Sequence, residues 1–566
     1  MNNYTYIRWL FSGAFLFLAN AHIAQDISPT EVKVIEGFNP EVQLSTKIRE
    51  MAEFIDTSRI DKSQEYYFID KFIKADYQIT SIKPAKVKGE SLDDWNKKNI
   101  SLGFGSHATS EANVNINLRL DNSHYYSAEL YHFNNNFKSK YQDGSGEKKA
   151  GWTNNSVSFF GKQIASKNIF LARLDYSRNL YYTYGHEFLI GEKYCKNRFD
   201  YTKFESQIIS KDFNLLDLNH RTQFFISDFN NRSENQIHFS SQISKQLYGY
   251  PMSVDVAFDN YISSYDLDND GSSKNQDMQQ ISCEPLVLIN KYGLDFNLGF
   301  LLDLAIDVDN SSSFLFFPKI HVSNHLVPGV LYLEGGLHHY DQKHTLRSFS
   351  LENPYIHSLG SNQKLSGNDQ YMLDIQVTDN TELYFSMSNQ IGRNEVFDLN
   401  VYCNWISSLP SFIDVYEDQY NRFLVDYVDV TQFRVSSSYD WQVNDLVGFK
   451  IDANYYYWGD VILSHREKIN AKLLTSFNLR DKIMISPSIT YLGERDVKTT
   501  DLSYVLEDQI SILSPVTQIN LSFEYYYTES LGAFIRFNNI LDEINPLWKD
   551  YNRIGFHGIF GVAYSF

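Results

Sequence analysis

The chain has 566 residues with 50 Lys and Arg against 69 Asp and Glu, a formal net charge of −19. That balance excludes a nucleic-acid binder, because phosphate contacts need clustered cations. Aromatics make up 16% of the residues at a mean hydropathy of −0.37, and beyond residue 24 no stretch reaches the roughly 20 apolar residues of a membrane helix, so any crossing must use strands.

At the front, Arg8 precedes an apolar run over 9–18, and Ala19, Ala21 and Ala24 follow as small residues suited to cleavage. This reads as a secretory signal peptide over 1–24, too short to span a bilayer. Residues 25–96 form a distinct N-terminal segment, expected on the periplasmic side. It contains a β-like string over 31–36 and an amphipathic helical pattern within 40–60, with Ile48, Met51, Phe54 and Ile55 on one side.

From Lys97 a two-residue period takes over and runs through 97–566. Ala112, Val114, Ile116, Leu118 and Leu120 alternate with Asn113, Asn115, Asn117 and Arg119. Burying such a polar face in a dry core would cost too much without partners, so water lies on that side. The same alternation returns at 447–455, 469–477, 483–491 and 519–525, where Pro487 removes a ladder donor and predicts a bulge or a locally open bond. Short turns are expected near Asn122, 327–329, 378–380, 443–445, 480–481 and 528–529. Long polar segments are expected near 135–150, 181–200, 265–275, 341–368, 395–420, 492–512 and 541–554. Residues 420–442 read as one long strand rather than two joined near Asp429. Alternating short and long connections over about 22 strands predict an all-β fold, a transmembrane antiparallel barrel.

The last strand is the clearest of all. Phe556, Phe560, Val562, Tyr564 and Phe566 share one face, with Gly561, Ala563 and Ser565 on the other, as a lipid-facing strand that closes a barrel would require. The stretch 533–542, AFIRFNNILD, followed by Trp548, Tyr551, Gly555, Gly561, Tyr564 and Phe566, resembles the final hairpin of TonB-dependent receptor barrels. That resemblance implies 22 strands, solute uptake across an outer membrane and an energy-coupling partner. It also implies a plug of well over a hundred residues inside the barrel, whereas about 70 separate the cleavage region from the first strand here. The expectation is therefore a plugless or plug-reduced relative. Residues 30–35 resemble a coupling box or a first plug strand; the alternatives are a tether, a lumen filler or a strand that docks a periplasmic protein.

Among local motifs, Asp266-Leu-Asp268-Asn-Asp270-Gly271 with Asp277 at the twelfth position has the oxygen-ligand spacing of a calcium loop. The plainer reading is a solvated acidic turn, since position twelve is not Glu and no helices flank it. His338, His339 and His344 cluster near one hairpin end, and His186-Glu187 lie in another loop, without the helical spacing of a metalloprotease. Cys195, Cys283 and Cys403 define neither a disulfide framework nor a zinc spacing. No nucleophile-elbow, P-loop or dinucleotide fingerprint occurs, so no enzymatic role and no cofactor are expected beyond calcium at the acidic turn. The reading is an integral outer-membrane barrel acting as a receptor or transporter for a solute. Its partners would be outer-membrane lipid, the assembly machinery and a periplasmic or energy-coupling protein. The alternative is a non-transport scaffold that docks a periplasmic or surface protein through residues 25–96.

Overall fold

The computed structural model describes residues 98–566 apart from 141–145, 186–195, 212–213, 215, 231–233, 268–271, 307–310, 357–374, 416–422 and 501–508. The signal peptide and the 25–96 segment lie outside the described residues.

An extended chain turns successive side chains to opposite faces, so the two-residue period between apolar and polar residues is a strand pattern. Twenty-two such strands make one wall. It begins with β1 (Lys98–Gly105), β2 (Thr109–Arg119), β3 (His124–Asn135), β4 (Trp152–Ile164), β5 (Asn168–Tyr182), β6 (Lys196–Ser210) and β7 (Asn219–Phe229). The middle of the wall is β8 (Glu234–Leu247), β9 (Tyr250–Leu267), β10 (Met278–Lys291), β11 (Leu294–Ile306), β12 (Ser312–Val327), β13 (Leu331–Lys343) and β14 (Val377–Gly392). Then come β15 (Glu395–Val415), β16 (Leu424–Asn444), β17 (Val447–Tyr457), β18 (Ile469–Leu479), β19 (Ile483–Leu492), β20 (Val516–Tyr526), β21 (Leu531–Asn538) and β22 (His557–Ser565).

Each strand pairs antiparallel with its chain neighbours, and β1 pairs with β22 from Asn99↔Ser565 to Gly105↔Ile559, which closes the ring and leaves no open edge. Lys98 and Phe566 complete the seam with two backbone hydrogen bonds of 2.9 Å each. Outward, Phe104, Phe560, Val562, Tyr564 and Phe566 are about half-exposed. Inward, a Cβ at Gly561 would meet Leu102 O and the Phe534 ring at 2.3 Å, so glycine there makes room for Phe534 beside the seam. Arg536 lies 4.6 Å over that ring and pairs with Glu111 at 2.8 Å, so an ion pair spans β22 and β1.

One end of the wall has tight turns. Tyr248-Gly249 and Tyr292-Gly293 have φ of 52°, 87°, 57° and 76°, the left-handed pairs that suit two-residue hairpins. The other end carries the longer connections.

Several details differ from the sequence reading. Residues 378–380 are not a turn but part of β14, and the turn falls at Arg393-Asn394. Most of 395–420 is not a loop but the 21-residue strand β15. Of 420–442, the residues from Leu424 onward do form one strand, β16, of 21 residues (Leu424–Asn444); 420–422 lie outside the described residues. Asp429 marks a bulge rather than a turn: the β15–β16 register shifts between Ile406 and Leu409, Ser408 takes φ 56°, and Asp429 Oδ1 accepts the Ser408 N–H at 2.8 Å. At Pro487 the β18–β19 rungs open between Leu474↔Ser488 and Phe477↔Ile485 with no change of register, so the proline makes an open bond and no bulge.

Above Leu337 the wall parts between β12 and β13, while β14 stays paired with β15 as far as Asp379↔Ser407. Pairing of β13 with β12 stops at Ile320↔Leu337, whereas pairing with β14 continues to Lys343↔Val377. The freed segment turns inward. His339 packs on Phe317 (5.3 Å between ring centres), Gln280 donates to Asp341 at 2.9 Å, and Lys343 pairs with Asp259 at 3.0 Å. Val377 and Ile375 bury Tyr261 and Met278 in the same way.

Candidate functional site on the inner wall beneath an aromatic cap

The long connections are rich in Tyr, Phe and Trp, and rings this large need partners when they leave the lipid zone. They find one another. Ala150, Tyr184, Phe199, Phe229, Leu346, Phe349, Ile356, Phe412, Phe423 and Tyr551 form one buried cluster, with Tyr355 and Trp548 against it. Each buried ring contributes about 1.5–3 kcal/mol. Helix α1 (Leu346–Glu352) supplies Leu346 and Phe349; its start is fixed by a capping box in which Thr345 accepts the Ser348 N–H. Tyr355 stacks on Tyr551 with ring centres 3.7 Å apart, and Tyr184 donates its hydroxyl proton to Asn552 O at 2.8 Å. Burial pushes the Tyr355 phenol up to about 12.

Polar groups tie the cap to the wall. Asn197 Nδ2, on β6, donates to Pro354 O and Ile356 O at 2.9 Å each, linking β6 to the connection after β13, seven strands away. Arg347 lies 3.3 Å over the Tyr201 ring and its N–H donates to Glu234, whose carboxylate also accepts from Tyr261. On the far side the hairpin Arg495–Thr500/Gln509–Leu513 joins the end of β15 through the parallel pair Asp414↔Thr499, and Lys549 pairs with Asp414 at 2.6 Å. His465 donates from Nδ1 to Phe412 O at 2.9 Å and accepts the Lys549 N–H at Nε2. Burial lowers its pKa to about 4, so it stays neutral.

On the inner wall a cavity of about 620 Å³ is lined by Lys319, His321, His338 and Tyr384 on one side and by Met252 and Leu286 on another. Tyr384 OH lies 2.6 Å from His321 Nδ1, and the Tyr384 ring also meets His338 edge-on at 5.5 Å. Lys319 pairs with Glu284. Two strands beyond Tyr384, Arg434 on β16 stacks 3.8 Å over Tyr402 on β15 and faces Glu382 on β14. The strip combines aromatic faces, exchangeable imidazoles and fixed charges, a surface suited to a polar solute with a planar part.

The three clustered histidines go to three places. His338 faces the cavity, His339 packs against the wall, and His344 stacks on Phe349 and bonds Thr378 Oγ1 at 2.8 Å. His186-Glu187 and Cys195 lie outside the described residues, and Cys283 and Cys403 are free thiols. Of the acidic turn, Asp268, Asp270 and the side chain of Asp266 lie outside them too. The backbone pairs Asp266 with Ser273, and Asp277, whose carboxylate accepts the Ser263 N–H at 3.3 Å, stands level with Ile262 in the same register. That is four residues, about 13 Å, from Asp266, so an ion at the tip would be held without Asp277. Phe556, Phe560, Tyr564 and Phe566 are outward on and beside the closing strand. Sequence reading missed Tyr384, Arg434, Lys319 and the aromatic cap. Strand alternation alone would have put the first three on the water side; nothing local marks the cap partners.

No protein-family model matches the sequence. No curated protein matches it either. Among solved structures the chain is similar to the FrpB iron transporter from Neisseria meningitidis, with 8% identity, 84% of this chain and 82% of that chain covered and a TM-score of 0.62. It is similar to the ferric-catecholate import receptor Fiu from E. coli K12, with 9% identity, coverage of 83% and 82% and a TM-score of 0.60. The copper transporter OprC gives 10% identity, coverage of 83% and 80% and a TM-score of 0.58. At such identities the likeness is one of fold.

Proposed function

We propose that this chain is an integral outer-membrane barrel that receives a solute at the capped end and passes it along the inner wall, as a plug-reduced relative of the TonB-dependent receptors. The observation that carries the reading is the closed 22-strand wall, apolar outside and polar within. The similar structures, iron and copper transporters and a ferric-catecholate import receptor, support uptake as its class. In this reading the tight-turn end faces the periplasm, the cap faces outward, and residues 25–96 meet a periplasmic or energy-coupling partner. We assign no catalytic step. The scaffold alternative rests on residues 25–96, outside the described residues.

The test is fractionation of cells expressing the full chain, followed by conductance of the purified protein in planar bilayers with and without the 25–96 segment. The expected outcome is heat-modifiable protein in the outer membrane, with conductance that rises when the segment is deleted. Recovery in the soluble periplasm would overturn the reading. So would silence of both forms together with an unchanged uptake profile in a deletion strain.

A further inference from the structure

Where the upper part of β13, still paired with β14, turns in against the wall, three carboxyl groups gather near one imidazole. Asp341 and Asp379 face each other as a rung of the β13–β14 ladder. Asp303, from β11, brings its carboxyl against that of Asp341. Asp303 is only 3% exposed, and its Oδ1 has no hydrogen-bond donor. His339 Nε2 lies 2.9 Å from Asp341 Oδ1, and ligand atoms of His339, Asp341 and Asp379 all fall within 4.8 Å of one another.

The neighbouring cation, Lys343, reaches Asp303 but is shared. Lys343 is engaged by Asp259 at 3.0 Å, a carboxylate that also holds His238 at 2.8 Å. Two carboxylates in contact cannot both stay ionised unless something positive lies between them. The spacing is within reach of a metal: tetrahedral ligand atoms about 2.1 Å from one ion sit about 3.4 Å apart, and those of His339, Asp341 and Asp379 lie within 4.8 Å of one another. The support around the ring suits one as well. His339 Nδ1 lies 3.0 Å from Thr381 Oγ1, which orients the imidazole with Nε2 toward the acids, and Gln280 Nε2 holds the other oxygen of Asp341 at 2.9 Å.

We propose that His339, Asp341 and Asp379 bind one divalent transition cation of the zinc or manganese class, and that the ion draws in Asp303, the carboxyl beside Asp341, as a fourth ligand and so fastens the upper part of β13 to the inner face of β11. One imidazole nitrogen with carboxylate oxygens is a borderline donor set, which suits such ions better than calcium or copper(I). Above Leu337 β13 keeps its rungs to β14 but has none to β12, so on that side the ion takes the place of the missing backbone bonds. The site stands apart from the uptake reading and does not depend on it.

The experiment uses the full chain in detergent, stripped with chelator and titrated with zinc chloride by calorimetry, with metal content checked after dialysis. The wild type is expected to retain one equivalent of zinc. Asp303→Asn and His339→Gln are expected to lose it, and Thr381→Val to bind about 10–100-fold more weakly. Asp303→Asn removes a charge at constant shape, so it folds whether or not the ion binds, and heat-modifiable migration verifies this. Zinc should also slow deuterium exchange over 339–343 in the wild type and not in Asp303→Asn. Equal zinc retention in wild type and Asp303→Asn would overturn the proposal by placing the ion elsewhere. No retention in the wild type, with the infrared band of a protonated carboxyl that disappears in Asp303→Asn, would overturn it in favour of a proton shared by Asp303 and Asp341.

Discussion

The wall between 469 and 526 and the cap built on 344–356 are both stabilised by apolar side chains, but by different routes. In the wall each strand is held by rungs to the next, such as Leu473↔Ile489 and Ile489↔Ile519, and its outward residues need only an apolar medium. In the cap, Phe349 meets Phe412 and Tyr355 meets Tyr551, pairs separated by dozens to hundreds of residues and with few rungs between their elements. The wall is therefore tolerant of any apolar residue at the right parity. The cap depends on particular rings and on neutral polar groups.

Acid should separate the two regions most. Burial lowers the pKa of both His344 and His465 to about 4 from an ordinary 6.5; Arg466 adds to the effect at the first, while Arg495 and Lys549 oppose Asp414 around the second. With folded pKa values below unfolded ones, their contribution is complete above about pH 6.5 and is lost as pH falls toward 4, by up to about 3 kcal/mol for each histidine. Protonating His465 Nε2 also removes the acceptor of the Lys549 N–H. Deuterium exchange at 344–356 and 548–551 is expected to accelerate between pH 6.5 and 4 while exchange over β18–β20 changes little. Parallel loss in both regions would mean that they unfold as one unit.

Next comes Phe349→Ala, which leaves a cavity among Phe412, His344 and their neighbours and should cost about 3–5 kcal/mol. The comparison requires the loss to stay local: faster proteolysis in the long connections, with heat-modifiable migration of the barrel unchanged. The converse change is Ile489→Arg, outward on β19, against Ser488→Arg, inward beside Leu474 and Asn520. The outward charge should destabilise the barrel by about 2–4 kcal/mol near the bilayer midplane, and the inward one should be tolerated. Equal effects on folding into lipid vesicles would remove the distinction between the two faces.

This contrast also explains what was legible in the sequence. Parity is a local property, so 112–120, the closing strand and the total of strands could be read directly. Residues 378–380 could not, because Thr378-Asp379-Asn380 carries polar groups on both faces: one faces Tyr340 and the other lies against the inner wall. A strand that is polar on both sides looks like a turn. The upper part of β15 misled for a related reason, since Ser407-Ser408-Leu409-Pro410-Ser411 breaks the alternation at the bulge that Asp429 holds. The inner-wall residues Lys319, His321, His338 and Tyr384 each have the expected parity, yet their convergence on one cavity depends on register between strands, which one chain segment does not encode.

The smallest expected effect tests how the two regions are joined. Asn197 belongs to the wall by backbone and to the cap by side chain, fully buried, with both Nδ2 protons donated to carbonyls of the connection after β13. Asn197→Ala leaves Pro354 O and Ile356 O without those donors and should cost about 1–3 kcal/mol. Because β6 keeps its rungs to β5 and β7, none of that loss should reach the barrel. It should show as faster exchange at 353–356 alone, and Asn197→Asp, which keeps the shape but places an acceptor against two carbonyls, should be at least as harmful. If both variants exchange like the wild type at 353–356, the aromatic cluster alone holds the connection in place, and the cap is a core of its own that merely rests on the wall.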